Sequence, residues 1–142
     1  MRNLITTLSL LLSNFLFAAT VDDLSFRLIN SGTEYSVTDC STSASGALSI
    51  PDTYDGIPVT TISEDAFLNC NNLTSINIPN SITTLGWYCF EGCTGLTSIT
   101  IPCSIYTIPY RAFLDCVNLT NVVLEYGVET IEFGAVAYCF RI

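Results

Sequence analysis

The sequence has 142 residues, with 13 acidic and four basic side chains, no histidine, and a formal net charge of −9 at pH 7. A chain of this length forms one domain, and an acidic balance without a basic patch disfavours binding to nucleic acid or to an anionic membrane. Because the chain lacks both histidine and lysine, imidazole-assisted nucleophiles, Schiff-base chemistry and P-loop phosphate binding are excluded.

The N-terminus is typical of a secretory signal peptide. Arg2 precedes an apolar run over residues 4–17, and the small residues Ala18 and Ala19 follow it. The run is too short and too polar to span a bilayer comfortably; a retained anchor is the alternative. We therefore predict a signal peptide over residues 1–20, secretion or display at the cell surface, and no membrane insertion after its removal.

Residues 21–46 are expected to form a capping element. Apolar and polar side chains alternate on both sides of a turn sequence at residues 30–33. This pattern predicts a β-hairpin followed by a short polar loop. A hairpin here would cover the first turn of the repeats that follow, which would otherwise expose apolar side chains and unpaired strand edges.

From Val59 onwards the sequence repeats itself every 23 residues, through three full repeats and one partial one. A fixed period of this size indicates a solenoid, in which each repeat packs on its neighbours. The apolar columns are Val59, Ile82, Ile105 and Val128; Ile62, Leu85, Ile108 and Ile131; Phe67, Phe90, Phe113 and Val136; Cys70, Cys93, Cys116 and Cys139; Leu73, Leu96 and Leu119; Ile76, Ile99 and Val122; and Ile78, Ile101 and Leu124.

Each repeat divides into three segments. The alternation of Ile76 and Ile78 before Pro79 predicts a strand, and Val59 with Ile62 predicts a second, shorter extended segment. Residues 63–67 resemble a helical turn with a serine cap and acids in its first turn. The predicted fold is therefore a β-rich α/β solenoid over residues 47–142. It is a right-handed coil of 23-residue turns with short parallel strands, short helical turns and an incomplete last repeat.

The seven cysteines are concentrated in the core of the predicted solenoid. Four of them share one column, where a free thiol acts as a small apolar group. We therefore predict buried, reduced thiols at these positions, although disulfides along the column are geometrically conceivable. The redox state of Cys40, Cys89 and Cys103 is left open. A metal site at Cys89 and Cys93 has no histidine or second pair to complete it, so we predict neither metal nor cofactor.

These repeats resemble the BspA-type leucine-rich repeat, in the strings L-x-x-I-x-I-P, V-x-x-I and A-F-x-x-C over about residues 47–142. Cys89, Glu125 and Val136 depart from the pattern. The resemblance implies a secreted or cell-surface binding module that contacts an extracellular protein or glycan, as in adhesion to a host or matrix, and that has no catalytic activity.

The outward side chains of the main strands form the predicted contact surface, which is uncharged and rich in hydrogen-bonding groups. A solvated β face without a ligand is the alternative. The predicted contact residues are Thr74, Ser75, Asn77, Thr97, Ser98, Thr100, Thr120, Asn121 and Val123. Asn72 and Asn118 begin N-x-T sequons and are possible glycosylation sites in a eukaryotic source.

Other functions are less favoured by the sequence. The threonine column at positions 61, 84, 107 and 130 raises the possibility of an ice-binding or purely structural solenoid, but we expect those hydroxyls to bond their own backbone. Glu64 with Asp65, or Asp52 with Asp55, would be the acid pairs of a secreted hydrolase, and the second pair would be the calcium ligands. Acids are ordinary in such turns.

The sequence stops before a fourth main strand forms, with Ile142 in the column of Leu119. We therefore expect an uncapped C-terminal end that either self-associates or is continued by further repeats in a longer protein.

Overall fold

The computed structural model describes residues 18–139. Within this part of the chain, helix is limited to two short 3-10 segments, Val21–Asp23 and Asn30–Gly32, and no helix has the length and apolar character needed to cross a membrane. Because the description begins at residue 18, the signal peptide predicted for residues 1–20 lies almost wholly outside it, and so does Ile142.

The strands are β1 (Leu24–Ile29), β2 (Glu34–Cys40), β3 (Gly46–Ser49), β4 (Thr53–Tyr54), β5 (Ile57–Ile62), β6 (Leu73–Asn77), β7 (Thr84–Leu85), β8 (Ser98–Ile101), β9 (Thr107–Ile108), β10 (Asn121–Leu124) and β11 (Thr130–Ile131).

The main sheet follows the repeat period directly. Its strands lie in the order β10-β8-β6-β3, and all neighbours are parallel. Ser75 pairs with Ser98, and Ser98 pairs with Asn121. In β6, β8 and β10, each of these residues therefore pairs with the equivalent residue of the next repeat. The predicted parallel-strand solenoid of about four turns with 23-residue spacing is confirmed.

A second set of strands lies at the other extended segment of each turn. β5 pairs with β7 in parallel, and β9 pairs with β11 in parallel. The predicted hairpin is present, since β1 and β2 are antiparallel, and β2 pairs with β5. The hairpin thus covers the backbone edge of the first turn. The division of the chain into signal, cap and solenoid at residues 20 and 46 stays a prediction.

The insertion after the first solenoid strand forms a small hairpin. β4 pairs antiparallel with the start of β5, around Asp55 and Gly56, whose φ angles are 50° and 78°. Positive φ at two consecutive residues is the geometry that a tight hairpin requires, and Asp-Gly supplies it without strain. The ring of Tyr54 stacks on Phe26 of the capping hairpin, with centroids 4.2 Å apart. The insertion therefore packs onto the cap.

The segment that follows each second strand differs from the predicted helical turn. In the first repeat, Ala66 N–H donates to Ser63 O (3.3 Å) and Leu68 N–H to Asp65 O (2.9 Å), as in consecutive tight turns. The alternate N–H groups donate to the next turn of the solenoid. These contacts are Asp65 N to Trp87 O (3.2 Å), Phe67 N to Cys89 O (2.9 Å) and Asn69 N to Glu91 O (2.8 Å).

Left-handed backbone at two positions per turn makes this alternation possible. Asp65 and Asn69 have φ angles of 58° and 59°, and short polar side chains tolerate this conformation. An α-helix would direct every N–H along its own axis and leave the neighbouring turn's carbonyls without these donors. The local sequence favours a helix, but bonding between turns overrides that preference.

The core is a set of stacked columns, as the repeat predicted. Phe67, Phe90 and Phe113 are fully buried, and their ring centroids lie 5.2 and 5.1 Å apart. The predicted phenylalanine stack is confirmed. Towards the last described turn, the apolar side chains of Leu124 and Ile131 are exposed. Self-association through this end stays a prediction.

The cysteine column is buried down to its last member. Cys70, Cys93 and Cys116 are inaccessible and Cys139 is half-buried, and all are free thiols. Each sulfur bonds a backbone carbonyl of the preceding turn: Cys93 Sγ–H donates to Phe67 O (3.2 Å) and Cys116 Sγ–H to Phe90 O (3.1 Å). The thiols therefore add a row of weak hydrogen bonds between turns. Among the other cysteines, Cys40 and Cys89 are buried and Cys103 is exposed.

Burial raises the pKa of three thiols of the core. It raises the pKa of Cys89 and Cys93 far above the ordinary thiol value, and it raises the pKa of Cys116 to about 12. Cys70 differs, because its hydrogen bond with the Cys40 thiol lowers the pKa of Cys70. A thiolate is the reactive form, so Cys89, Cys93 and Cys116 are both inaccessible and chemically quiet.

We expect Phe90→Ala to lower the free energy of unfolding by about 3–5 kcal/mol, because it opens a cavity between two stacked rings. Phe133→Ala is the matched control, since Phe133 is exposed and its removal leaves the core intact. Urea denaturation of the three proteins measures the difference. Equal midpoints for Phe90→Ala and wild type would contradict the buried stack.

A thiol reagent at pH 8 should modify Cys103 quickly in the native protein and the buried cysteines only after denaturation, because Cys103 is the exposed thiol among the described residues. Mass spectrometry before and after urea treatment counts the labels. Cys103→Ser should remove the fast reaction. Disulfides found among Cys70, Cys93, Cys116 and Cys139 would overturn the reduced column.

Stability should fall as pH rises above the ordinary thiol pKa of about 8.5. The native pKa values of Cys89, Cys93 and Cys116 are raised, so between about pH 8.5 and 11 the unfolded chain loses thiol protons that the native protein keeps. Each of these thiols lowers the free energy of unfolding by about 1.4 kcal/mol per pH unit. Urea denaturation in reductant at pH 7 and pH 9.5 measures this. Cys116→Ala should give a shallower slope than the wild type, and a flat wild-type profile would contradict the raised values.

Candidate binding surfaces

The predicted contact residues on the main sheet share one face. Ser75 is half-buried, and the other eight are exposed. They lie across β6, β8 and β10 or at the residue just before these strands, and register aligns Ser75 with Ser98 and Thr100 with Val123. This set of nine residues is called the strand face below. Its residues are in regular register, and its side chains are uncharged and, apart from Val123, polar.

The threonines at the edge of the strand face are partly used by the backbone. Thr97 Oγ1–H donates to Thr74 O (3.3 Å), and Thr120 Oγ1–H donates to Thr97 O (3.0 Å). Their hydroxyl protons therefore stabilise the stacking of turns. The donors that the strand face offers to a ligand come from its serine and asparagine side chains and from Thr74 and Thr100.

The second threonine column is in register but not uniform. Thr61 pairs with Thr84, and Thr107 pairs with Thr130, whereas Thr61 is half-buried and the other three are exposed. The expected bond from hydroxyl to backbone occurs at a neighbouring position, where Thr83 Oγ1–H donates to Thr60 O (3.4 Å).

Both sequon asparagines are exposed. Asn118 Nδ2–H donates to Thr94 O (2.7 Å), so attachment of a glycan at this nitrogen would replace one bond between turns. Glycosylation at Asn72 and Asn118 stays a prediction.

The acidic pairs considered for hydrolysis or calcium binding lie on exposed turns. Asp52, Asp55, Glu64 and Asp65 are all exposed. Over residues 18–139, no three histidine, cysteine or carboxylate side chains are grouped closely enough to hold a metal ion.

A second surface, which the sequence reasoning missed, is an aromatic column at positions 64, 87, 110 and 133. Glu64 begins it, and Trp87, Tyr110 and Phe133 follow at the repeat interval. The ring centroids of Trp87 and Tyr110 lie 6.4 Å apart, and those of Tyr110 and Phe133 lie 6.2 Å apart. Trp87 is 55% exposed and Phe133 is 79% exposed. The 23-residue period was the available signal, but the residue type of this column changes at every repeat, so the column does not stand out in the sequence.

These aromatic rings line a shallow, open cleft of about 710 Å³. Its lining residues, called the aromatic–carboxylate cleft below, are Glu64, Trp87, Tyr88, Tyr110, Glu132 and Phe133. Glu132 Oε2 accepts the backbone N–H of Tyr110 at 2.7 Å. That bond holds one carboxylate beside the middle ring of the column.

Backbone bonds between turns keep the aromatic side chains in line. Asp65 N–H donates to Trp87 O (3.2 Å), and Tyr88 N–H donates to Tyr110 O (3.2 Å). Close approach of successive turns adds to this: a Cβ at Gly86, one residue before Trp87, would collide with the backbone nitrogen of Glu64. The cleft is therefore built on closely packed backbone.

The residues next to the column occupy a demanding conformation. Tyr88 and Arg111 have φ angles of 56° and 52°, at the position that Asp65 and Gly134 hold in other turns. Bulky residues with positive φ are uncommon and costly. Their large side chains are thereby directed along the aromatic column, where the Tyr88 ring contacts Tyr110 edge-on with centroids 5.5 Å apart.

Charge around the cleft is mainly negative. The guanidinium carbon of Arg111 lies 4.9 Å from the Tyr110 ring centroid. Burial raises the pKa of Glu91, and repulsion from Asp65 and Asp115 raises it further, against the opposing effect of Arg111. Partial desolvation likewise raises the pKa of the Tyr88 hydroxyl, and the neighbouring Tyr110 side chain raises it further. One guanidinium thus lies among several carboxylates.

Solved structures share this fold. The leucine-rich repeat protein of T. pallidum superposes with a TM-score of 0.73 and 26% identity, over 80% of this chain and 53% of its own. A leucine-rich cell surface protein from Faecalibacterium prausnitzii A2-165 gives a TM-score of 0.76 and 25% identity, over 85% of this chain and 31% of its own. A leucine-rich repeat protein from Bacteroides capillosus ATCC 29799 gives a TM-score of 0.69 and 26% identity, over 78% of this chain and 84% of its own. This chain thus spans about half and about a third of the first two.

No curated protein matches the chain. The family model that matches is the BspA-type leucine-rich repeat region, with six copies over residues 38–142. The match begins before residue 47, where the sequence motifs placed the first solenoid strand, and it covers most of the sequence. This chain therefore belongs to the BspA-type leucine-rich repeat family.

Proposed function

We propose that this protein is a non-catalytic binding module, secreted or displayed at the cell surface, that contacts an extracellular protein or glycan. Membership of a repeat family with cell-surface neighbours supports the location and the general role. The observation that carries the proposal is the exposed column of Trp87, Tyr110 and Phe133. Contiguous exposed aromatic rings mark interaction surfaces, because their burial on binding is strongly favourable.

The strand face is the second part of this proposed contact surface. Its serine, threonine and asparagine side chains supply hydrogen bonds without the desolvation cost of charges. Four parallel strands span only about 15–20 Å at ~4.8 Å per strand. The area of such a face is a few hundred Å², below the ~800 Å² per partner of a standard stable interface.

A small area sets the expected mode of binding. One copy of this chain should bind with modest affinity, and strong adhesion should come from display of many copies or from further repeats. This chain covers only 53% of the T. pallidum protein and 31% of the F. prausnitzii protein.

Biolayer interferometry of the full chain against extracellular-matrix proteins and glycans tests the proposal. For a ligand that binds, Trp87→Ala should weaken affinity at least about tenfold, as hot-spot aromatic residues do. Asn121→Ala on the strand face should have a smaller effect. Tyr126→Ala is the matched control, because Tyr126 is fully exposed and lies outside both surfaces. A ligand that is insensitive to Trp87→Ala and Asn121→Ala would contradict both surfaces.

A further inference from the structure

We infer that the aromatic–carboxylate cleft binds lysine or arginine side chains of an extended, basic segment of a protein partner. This inference rests on the proposed function as a binding module and names the chemistry that the module recognises. It is carried by the ring geometry, the charge of the lining and the spacing of the column.

The exposed rings are suited to cations. An ammonium or guanidinium group within about 6 Å of an aromatic centroid is attracted by the negative face of the ring, most strongly for tryptophan. Trp87 and Phe133 are the most exposed rings of the cleft, and Tyr110 lies between them. A side chain that enters the cleft therefore meets an aromatic surface on successive turns.

The chain already contains one such contact. Arg111 places its guanidinium carbon 4.9 Å from the Tyr110 ring centroid, although Arg111 is not part of the cleft lining. The backbone geometry of the column thus holds a cation on a ring of this cleft. A ligand cation would occupy the remaining exposed rings, beside the carboxylates.

The lining is complementary in charge to a basic ligand. Glu64 and Glu132 line the cleft, and Asp65, the exposed residue after Glu64, adds a third carboxylate beside it. Carboxylates accept hydrogen bonds and do not donate them. A neutral sugar would satisfy their hydrogen bonds and leave their charge uncompensated, whereas an ammonium or guanidinium group satisfies both.

The column spacing selects an extended segment. Alternate side chains of an extended strand lie on one side at intervals of about 6.6 Å, twice the rise of ~3.3 Å per residue. The ring centroids of the column are 6.4 and 6.2 Å apart. Basic residues four positions apart in a peptide that runs along the solenoid axis would therefore meet Trp87 and Phe133, on either side of the ring that Arg111 contacts.

Fluorescence anisotropy of the full chain with a labelled peptide carrying two lysines four positions apart tests the inference. The comparison peptide has the same sequence with every lysine acetylated. Acetylation removes the positive charge of the side chains and leaves the number of residues unchanged. We expect at least tenfold tighter binding of the unmodified peptide. Trp87→Ala and Phe133→Ala should each weaken it at least fivefold, with melting temperatures near that of the wild type.

Matched charge variants separate a specific cleft from general attraction to an acidic protein. Glu132→Gln should weaken binding at least threefold and reduce its dependence on salt, whereas Asp52→Asn, the same change at an exposed site outside the cleft, should change affinity less than twofold. Equal effects of these two substitutions, with none from the aromatic variants, would overturn the inference.

The outcomes also separate this inference from the proposed function. Suppose that the acetylated peptide or a neutral glycan binds as tightly as the basic peptide, and that Trp87→Ala still weakens this binding. The proposed binding function would then be supported, and the inference that the cleft recognises cations would be wrong. If Trp87→Ala changes the binding of no ligand, including those found on the matrix and glycan panel, the cleft fails in both roles.

Discussion

The hydrogen bonds between successive turns are the constraint on which the rest of this structure depends. They occur in the strands and also in the turn segments, where Phe67 N–H donates to Cys89 O at 2.9 Å and Phe90 N–H to Ala112 O at 2.9 Å. Because the register is the same on every side of the coil, each side chain stacks on the equivalent one of the next repeat. The columns of the sequence are the direct consequence. A turn taken alone has neither these bonds nor a buried core, so stability must accumulate through contacts between neighbours.

This constraint explains which features the sequence predicted well. A buried column needs one kind of side chain in every turn, so Phe67, Phe90 and Phe113 were recognisable as a core stack. The parallel strands followed from the period, and the capping hairpin followed from alternation around a turn sequence. In each case the information lies in the residue types themselves, because burial limits which side chains fit.

Two features could not be read in the same way. Residues 63–67 have the composition of a capped helical turn, and nothing local in them shows that alternate N–H groups serve the next turn. The aromatic column escaped notice because its residue changes at every repeat, from Glu64 through Trp87 and Tyr110 to Phe133. Its meaning depends on exposure, and exposure is a property of the folded coil.

The columns of constant apolar residues differ from the aromatic column. The constant apolar columns are buried, since any change would open a cavity or force a clash. The column at Trp87 varies, and next to it Tyr88 and Arg111 hold positive φ angles that Asp, Asn or Gly would adopt at lower cost. The equivalent positions of the other two turns carry Asp65 and Gly134. Local rules are broken where a protein gains something other than stability, and these two departures flank the proposed cleft. The cleft therefore lies on turns whose backbone is hydrogen-bonded to the neighbouring turns, which is the rigid support that a binding site requires.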